Sequence, residues 1–391
     1  MDEVKSILYL SYDGMTDPLG QSQVLPYIIG LSKKGFRFHL ISFEKPDRFA
    51  KLKDDIQALC DKNNITWHPK IYTKNPPLIS TLYDVWRMRR LSFKLNKTHY
   101  FSIVHCRSYL SAMVGLAMKK KFNTKFLFDM RGFWADERVD GNIWNIKNPV
   151  FRAVYKFFKY QELKFLIYSD QIVSLTHAGK NEMCNWSDLK DLAEKITVIP
   201  CCTDLDLFKP MDRDSDQFTI GYLGSLGTWY MLTEMLRVYK MILKQIPNAK
   251  FHFLTKDDPN LVYKEAQALD LDCAKILVEE SSRNEIPEKT KNWDFSIFFI
   301  RASYSKISSS PTKQGELMGL GIPIICNSGV GDVDQIVKKY NSGIVVNLEK
   351  DLNLEIKKHS LTDKFSLHNK AHDVFSLKKG IELYNSIYFK L

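Results

Sequence analysis

The chain contains no apolar run long enough to span a bilayer (about 18 residues or more), so no membrane span is expected. Its N-terminus, MDEVKSILYL, opens with two acids and runs straight into a β-rich segment, which does not read as a signal peptide. Cys60, Cys106, Cys184, Cys201, Cys202, Cys273 and Cys326 are scattered. No CxxC pair occurs and the vicinal Cys201–Cys202 is not a zinc spacing, so reduced thiols and a cytoplasmic location are expected. The G-x-G-x-x-G spacing is missing, which leaves a dinucleotide reading weak. There is no low-complexity segment, and no internal repeat beyond two similar α/β halves.

What is present is enough for two cores: 391 residues with 45% hydrophobic content. The charge is uneven. Residues 1–200 carry the whole net excess of +11, and the remainder is balanced. The first half either meets something anionic (a membrane surface, a lipid diphosphate or nucleic acid) or is simply kept soluble by its charge.

Ser6–Ser11 reads as a strand ending in the turn Tyr12-Asp13-Gly14. A helix over roughly Ser22–Lys34 and the strand FRFHLISF complete a βαβ unit. A glycine loop at a strand's carboxyl end is where open α/β sheets bind ligands, and Asp13, Gly14, Gly20 and Gln21 stand in this one. Residues 46–100 read as basic and irregular, with Arg87, Arg89 and Arg90 beside Tyr83 and Trp86. That cluster suits a solvated helix face, an anionic membrane surface or RNA. Strands are expected at Phe101–Cys106, which places His105 and Arg107 at its end, and at Phe126–Met130, which runs into Arg131 and Asp136. Either Asp129 and Arg131 form a structural pair, or Arg131 faces a phosphate or sugar. Phe151–Tyr168 reads as a long helix with a basic face. In the second half, the strand Phe218–Leu223 leads into the glycine loop Gly224-Ser225-Leu226-Gly227 and a helix, an arrangement that can cradle phosphate. Arg283 follows the strand Ile276–Val278, and Arg301 and Lys306 follow the buried strand Trp293–Ile300.

The most informative stretch is Ser308–Asp332, SSSPTKQGELMGLGIPIICNSGVGD. Ser310 suits an N-cap and Pro311 a first helical position. Gly319 and Gly321 stop the helix, and Ile322–Cys326 is a buried strand. The helix start gathers Ser308, Ser309, Ser310, Thr312 and Lys313, an anion site by composition. Glu316, one turn in, can accept hydrogen bonds from two neighbouring sugar hydroxyls. A capped helix with a solvated Glu is the competing reading.

The motif SPTK-x-GELMGLGIPIIC resembles the donor-binding motif of family-four glycosyltransferases of the GT-B fold, in the form found in transferases of bacterial surface polysaccharides. The run VIP…DLDLFKP, with Asp204, Phe208 and Pro210, is similar to that family's linker into its second domain. The resemblance implies an α/β GT-B fold: two Rossmann-like domains facing across a cleft. It implies an acceptor-binding domain at 1–208, a nucleotide-sugar domain at 209–375 and a helix at 376–391 that crosses back. Glu316 would hold the nucleotide ribose, the Gly224–Gly227 loop the diphosphate, with Lys313, Arg301 or Lys306 in place of the Arg and Lys that the family usually has there, and the loop at Arg283 the base. Ser308 stands where the family usually has a second Glu directed at the sugar, and Arg131 where it commonly has a His. Arg131, Lys313 and Glu316 are the expected catalytic groups. Gly14, Gly224, Ser225, Gly227, Arg283, Arg301, Ser308, Ser309, Ser310, Pro311 and Thr312 are expected to join the last two on the donor. Asp13, Gln21, His105, Arg107 and Asp136 are the expected acceptor contacts.

The expected function is transfer of a sugar, with retention, from a nucleotide sugar to a saccharide or lipid-diphosphate-linked acceptor in cell-surface polysaccharide synthesis. No metal and no other cofactor are expected, and no nucleic acid. The basic first half is expected to touch the inner face of the cell membrane. The alternatives are a nucleotide-sugar epimerase of the same fold and a non-catalytic sugar-nucleotide or RNA-binding protein.

Overall fold

The computed structural model describes residues 5–186, 192–348, 356 and 363–391. The chain forms two compact units: Met1–Pro200 with Leu377–Leu391, and Cys201–Ser376. The division falls at Pro200–Cys201, ahead of the expected 208/209. The reason is that Thr203 donates its N–H to Phe375 O at 2.7 Å, and Leu205 packs with Met318 and Phe375 inside the second unit.

The first unit is built on a seven-stranded sheet. Its strands are β1 (Ser6–Ser11), β2 (Arg37–Glu44), β3 (Ile65–Ile71), β4 (Ile103–Arg107), β5 (Lys125–Asp129), β6 (Gln171–Ser174) and β7 (Ile196–Val198). They lie in the order β3-β2-β1-β4-β5-β6-β7, all parallel. β1 and β4 are buried almost throughout, which is why they read as unbroken apolar runs. The second unit repeats the scheme with β8 (Thr219–Leu223), β9 (Lys250–Leu254), β10 (Ile276–Glu279), β11 (Phe295–Phe298), β12 (Ile324–Asn327) and β13 (Gly343–Val346). Their order is β10-β9-β8-β11-β12-β13, again all parallel. The final helix, Leu377–Lys390, belongs to the first unit. There Tyr388 hydroxyl meets His105 Nδ1 at 2.7 Å, and Tyr384 hydroxyl donates to Asp129 at 3.1 Å.

Four local expectations differ from the structure. Residues 46–100 are ordered, with a helix at Pro46–Lys62, β3, and a helix at Ile79–His99. β3 is an edge strand, and Pro69 within it hid it from pattern reading. The helix expected over Ser22–Lys34 is two, Pro18–Gln23 and Leu25–Ser32, broken at Val24 (φ −126°, ψ −65°). Ser310 caps nothing: the helix starts at Thr312, and Ser310 Oγ accepts the Cys201 N–H at 3.1 Å instead. β12 begins two residues later than the apolar run, at Ile324.

One histidine cluster, with His39 buried at its centre, gives the first unit a pH dependence. His39 Nδ1 lies 3.1 Å from His68 Nε2, and its ring centroid 4.1 Å from that of His99. Burial, then His99, His68 and Arg37, push the His39 imidazole down from 6.5 to about 4. The unfolded chain therefore takes up this proton first, and stability is lost as pH falls from 6.5 toward 4. The thermal midpoint should fall over that window, and fall less in His39→Phe, measured by calorimetry across pH.

Candidate functional site

Each unit carries a candidate site at the point where its strand order reverses, the place where open parallel sheets receive ligands. In the second unit this is between β8 and β11. β8 ends at Leu223, and Gly224 follows at φ +113°, a left-handed conformation that glycine adopts without strain. A Cβ there would also stand 3.2 Å from Lys313 Nζ. The loop is tightly self-bonded. Gly224 N–H donates to Leu254 O at 2.9 Å, Gly227 N–H to Ser225 Oγ at 3.1 Å, and Leu226 N–H to the Asp257 carboxylate. The expected cradle of free backbone donors is thus largely occupied by the loop's own partners.

Lys313 is the centre of this region. It is buried, and its ammonium donates to Tyr222 hydroxyl at 3.2 Å. It sits 3.7 Å from the Tyr230 ring centroid and 4.3 Å from that of Tyr222. Among the described residues no carboxylate is within ion-pair distance of it. Desolvation holds its pKa well below the ordinary lysine value, against the pull of Glu316. Glu316, also buried, accepts from Arg283 Nη1 at 2.6 Å, and the Arg283 guanidinium lies over the Phe208 ring at 4.6 Å. Gly224, Lys313, Glu316 and Arg283 are therefore one neighbourhood. Arg301 and Lys306 lie over Trp229 at 5.0 and 3.7 Å, next to Tyr230 in the chain. Ser308 is buried and donates to Ser305 O at 3.1 Å, and Ser310 is engaged with Cys201. Those two hydroxyls are structural here, whereas Ser309, Pro311 and Thr312 are half-buried. The aromatic enclosure of Lys313 by Tyr222 and Tyr230 was not legible beforehand, because only the fold brings those rings to it.

The first unit holds a cavity of about 680 Å³ at the β1/β4 reversal, lined among others by Tyr12, Asp13, Lys74, Arg107, Arg131 and Arg138. Arg107 Nε pairs with Asp13 at 3.2 Å, while its Nη1 is buried with no hydrogen-bond partner. Arg131 Nη1 is 3.8 Å from Asp129 Oδ1. Burial pushes the Asp129 carboxyl up, but Arg131, His105 and Arg107 outweigh it and hold it below its usual value. Burial keeps His105 on the neutral side despite Asp129. Three non-glycine residues in the cavity wall have positive φ: Leu78 (67°), Ser108 (66°) and Arg131 (57°). Strain of this kind gathers where a side chain's direction matters more than its backbone comfort.

Not all expected acceptor residues come to this cavity. His105 is buried against Tyr388, away from it. Asp136 is buried and accepts from Tyr155 hydroxyl at 2.8 Å and Lys159 at 2.9 Å. Gln21 is exposed and donates to Thr16 O at 3.1 Å. Gly14, expected on the donor, serves its own loop. A Cβ there would meet Glu44 Oε2 at 2.6 Å, and that buried carboxylate binds the N–H groups of Met15 and Thr16 at 2.8 and 3.0 Å. Lys74 and Arg138 are cavity residues that pattern reading missed. Among the described residues no group of three or more His, Cys, Asp or Glu side chains is arranged to hold a metal ion.

Two parallel-sheet Rossmann-like units in this strand order define the GT-B class of α/β protein. Within it, residues 24–207 match the model of Glycosyltransferase Family 4. No curated protein matches the chain by sequence. Among solved structures it is similar to a sucrose-phosphate synthase from Thermosynechococcus elongatus (TM-score 0.72, 12% identity, 99% of this chain and 98% of that one). It is also similar to a glycosyltransferase from Rickettsia africae ESF-5 (0.68, 17%, 99% and 98%). A UDP-GlcNAc 2-epimerase from Methanocaldococcus jannaschii shares the fold more distantly (0.54, 14%, 99% and 100%).

Arg131 supplies a test of the cavity's strain. Arg131→Gly and Arg131→Ala both remove the guanidinium beside Asp129, but only glycine relaxes φ +57°. The glycine variant should be the more stable of the two by about 1 kcal/mol in chemical denaturation.

Proposed function

We propose that the chain transfers a sugar from a nucleotide sugar to a hydroxyl of a saccharide or lipid-diphosphate-linked acceptor, with retention, in the synthesis of a cell-surface polysaccharide. The observation that carries the reading is Lys313: a buried ammonium at the β8/β11 reversal with no carboxylate bonded to it. Such a charge is costly until an anion arrives, and a nucleoside diphosphate is the anion that fits a site containing Glu316. In this reading the donor diphosphate sits against Lys313 and the helix start at Thr312. The ribose hydroxyls bind Glu316, which exchanges or shares its bond to Arg283. As the glycosidic bond breaks, negative charge grows on the leaving phosphate, and Lys313 is already in place to stabilise it. The acceptor hydroxyl attacks from the same face, which gives retention. No metal has a part in this scheme, because Lys313, Arg283 and the helix dipole take that role.

The acceptor is assigned to the first-unit cavity. Its lining sets Lys74, Arg107, Arg131 and Arg138 against Asp13 and Glu137, an excess of cations suited to a diphosphate. The unpartnered Arg107 Nη1 supports this assignment. The protein would act at the inner face of the cell membrane.

Two measurements test the donor site. In a thermal-shift panel of nucleoside diphosphates and nucleotide sugars, one nucleotide class at about a hundredfold excess over Kd should stabilise the protein by roughly 2.7 kcal/mol. Glu316→Ala and Lys313→Met should each weaken that binding about tenfold or more, while Lys313→Met, which removes a buried charge, should raise the unliganded midpoint. Equal shifts in wild type and both variants would sink the assignment. Incubation with donor alone separates transfer from epimerisation, since an epimerase releases an altered nucleotide sugar with no acceptor present.

The depressed pKa of Lys313 gives a pH signature. A bound diphosphate raises that pKa, so between the free and bound values binding takes up a proton and weakens as pH rises. Calorimetry in buffers of different ionisation enthalpy should show this uptake in wild type and not in Lys313→Met.

A further inference from the structure

Helix Ile79–His99 of the first unit exposes large apolar side chains at its start and buries polar ones opposite them. Its inward face holds Val85 and Met88 and the polar residues Ser80, Asp84, Ser92 and Asn96, all buried. The fold satisfies them: Asp84 accepts from the Thr73 N–H and hydroxyl, both at 2.9 Å, and from Arg87 at 3.0 Å. Asn96 Oδ1 accepts the Phe101 N–H at 3.0 Å, and Ser92 donates to Met88 O at 2.8 Å. The outward face begins with Ile79, Leu82, Tyr83 and Trp86, at the i, i+3, i+4, i+7 spacing of one helical stripe. They are 65, 60, 51 and 51% exposed. Contiguous large apolar side chains in water mark an interaction surface.

The stripe continues as charge. Arg89, Arg90, Lys94 and Lys97 are exposed on the following turns, and the helix's one acid, Asp84, is buried on the other side. Arg90 lies over the Trp86 ring at 5.5 Å and Arg87 over the Tyr83 ring at 5.5 Å. The order along the axis is aliphatic, then aromatic, then cationic, matching the passage from acyl chains through the headgroup level to an anionic surface. The aliphatic end adjoins the cavity, whose wall includes Pro77, Leu78, Ser80 and Thr81. Ile143, 52% exposed, is in the same wall, and the exposed Lys147, Val150 and Arg152 follow it in the chain.

We propose that this surface seats the first unit on an anionic lipid bilayer, with the cavity mouth at headgroup level. Charge complementarity favours lipid over the other occupants. A second copy would set cations against cations. RNA would find the arginines and rings but leave Ile79 and Leu82 in water. The proposal rests on the acceptor reading of the cavity only for its purpose; the docking itself requires neither donor nor acceptor.

The test is co-sedimentation of the full chain with vesicles of phosphatidylcholine, alone or mixed with phosphatidylglycerol. The mixed vesicles should bind the protein and the neutral ones should not. Leu82→Ser/Trp86→Ser and Arg89→Gln/Arg90→Gln should each lower binding to mixed vesicles about tenfold or more. The thermal midpoint, and its shift by the nucleotide found in the panel, should stay at wild-type values. No binding to mixed vesicles, or variants that bind as well as wild type, overturns the proposal. So does a lipid-free dimer, or an RNA complex, that these variants break. Failure of docking with the nucleotide shift intact leaves the donor reading standing, and loss of the shift with docking intact does the reverse.

Discussion

Parallel pairing puts the carboxyl ends of all strands of a sheet along one edge, and both candidate sites depend on it. In the first unit that edge delivers Asp13 after β1, Ser108 after β4 and Arg131 after β5. In the second it delivers Gly224 after β8 and the segment around Arg301 after β11. Because the strand order reverses next to the first strand of each sheet, the loops diverge there and leave space for a ligand. The sheet sets the position, and residues just past the strands, with Lys313 and Glu316 from the helix Thr312–Gly319, supply the chemistry.

What separates these edges from ordinary α/β loops is charge held out of water without full compensation. Lys313 is surrounded by tyrosine rings in place of carboxylates. Arg107 keeps one nitrogen unpaired, and Arg131 holds its guanidinium near Asp129 from a left-handed backbone. Each arrangement costs stability in the empty protein, and each is offset by neighbouring structure: ring faces for Lys313, Asp13 for Arg107, the neutral His105 and the Tyr384 hydroxyl around Asp129. The final helix thereby stands behind Arg131, since Tyr384 fixes the carboxylate that Arg131 faces. The helix at Ile79–His99 likewise turns Asp84 and Asn96 inward, onto Thr73 and Phe101, beside Val85 and Met88, while Ile79, Leu82, Tyr83 and Trp86 stay outside.

Most of the fold was legible because buried parallel strands are short apolar runs bounded by turn residues, and the segments from SILYLS to GIVVN follow that pattern. The exceptions have physical causes. β3 contains a proline that only an edge position tolerates, and its neighbouring helix Pro46–Lys62 is too charged to announce a buried face. The helix at Thr312 begins later than its local signals suggest, since a long-range partner, Cys201, claims the Ser310 hydroxyl. Local capping rules fail when a tertiary contact offers the same group a better bond.

For the sites, the amino-acid order alone made Gly224 a candidate by its place just past a strand, and Lys313 and Glu316 candidates by their place in the motif SPTK-x-GE. It determined the two-unit α/β class through the repeated strand–loop–helix pattern, and the charge surplus of the first half. Only the tertiary structure decided which candidates share a neighbourhood. It joined Arg283 to Glu316 and closed Tyr222 and Tyr230 around Lys313. It turned Gly14, His105 and Asp136 into internal supports, and brought Lys74 and Arg138 into the cavity wall. The reason is one of range. Strand and turn signals act over a few neighbouring residues, whereas the burial that shifts a pKa or leaves a nitrogen unpaired is set by atoms that are distant in sequence and meet only when the sheets have formed.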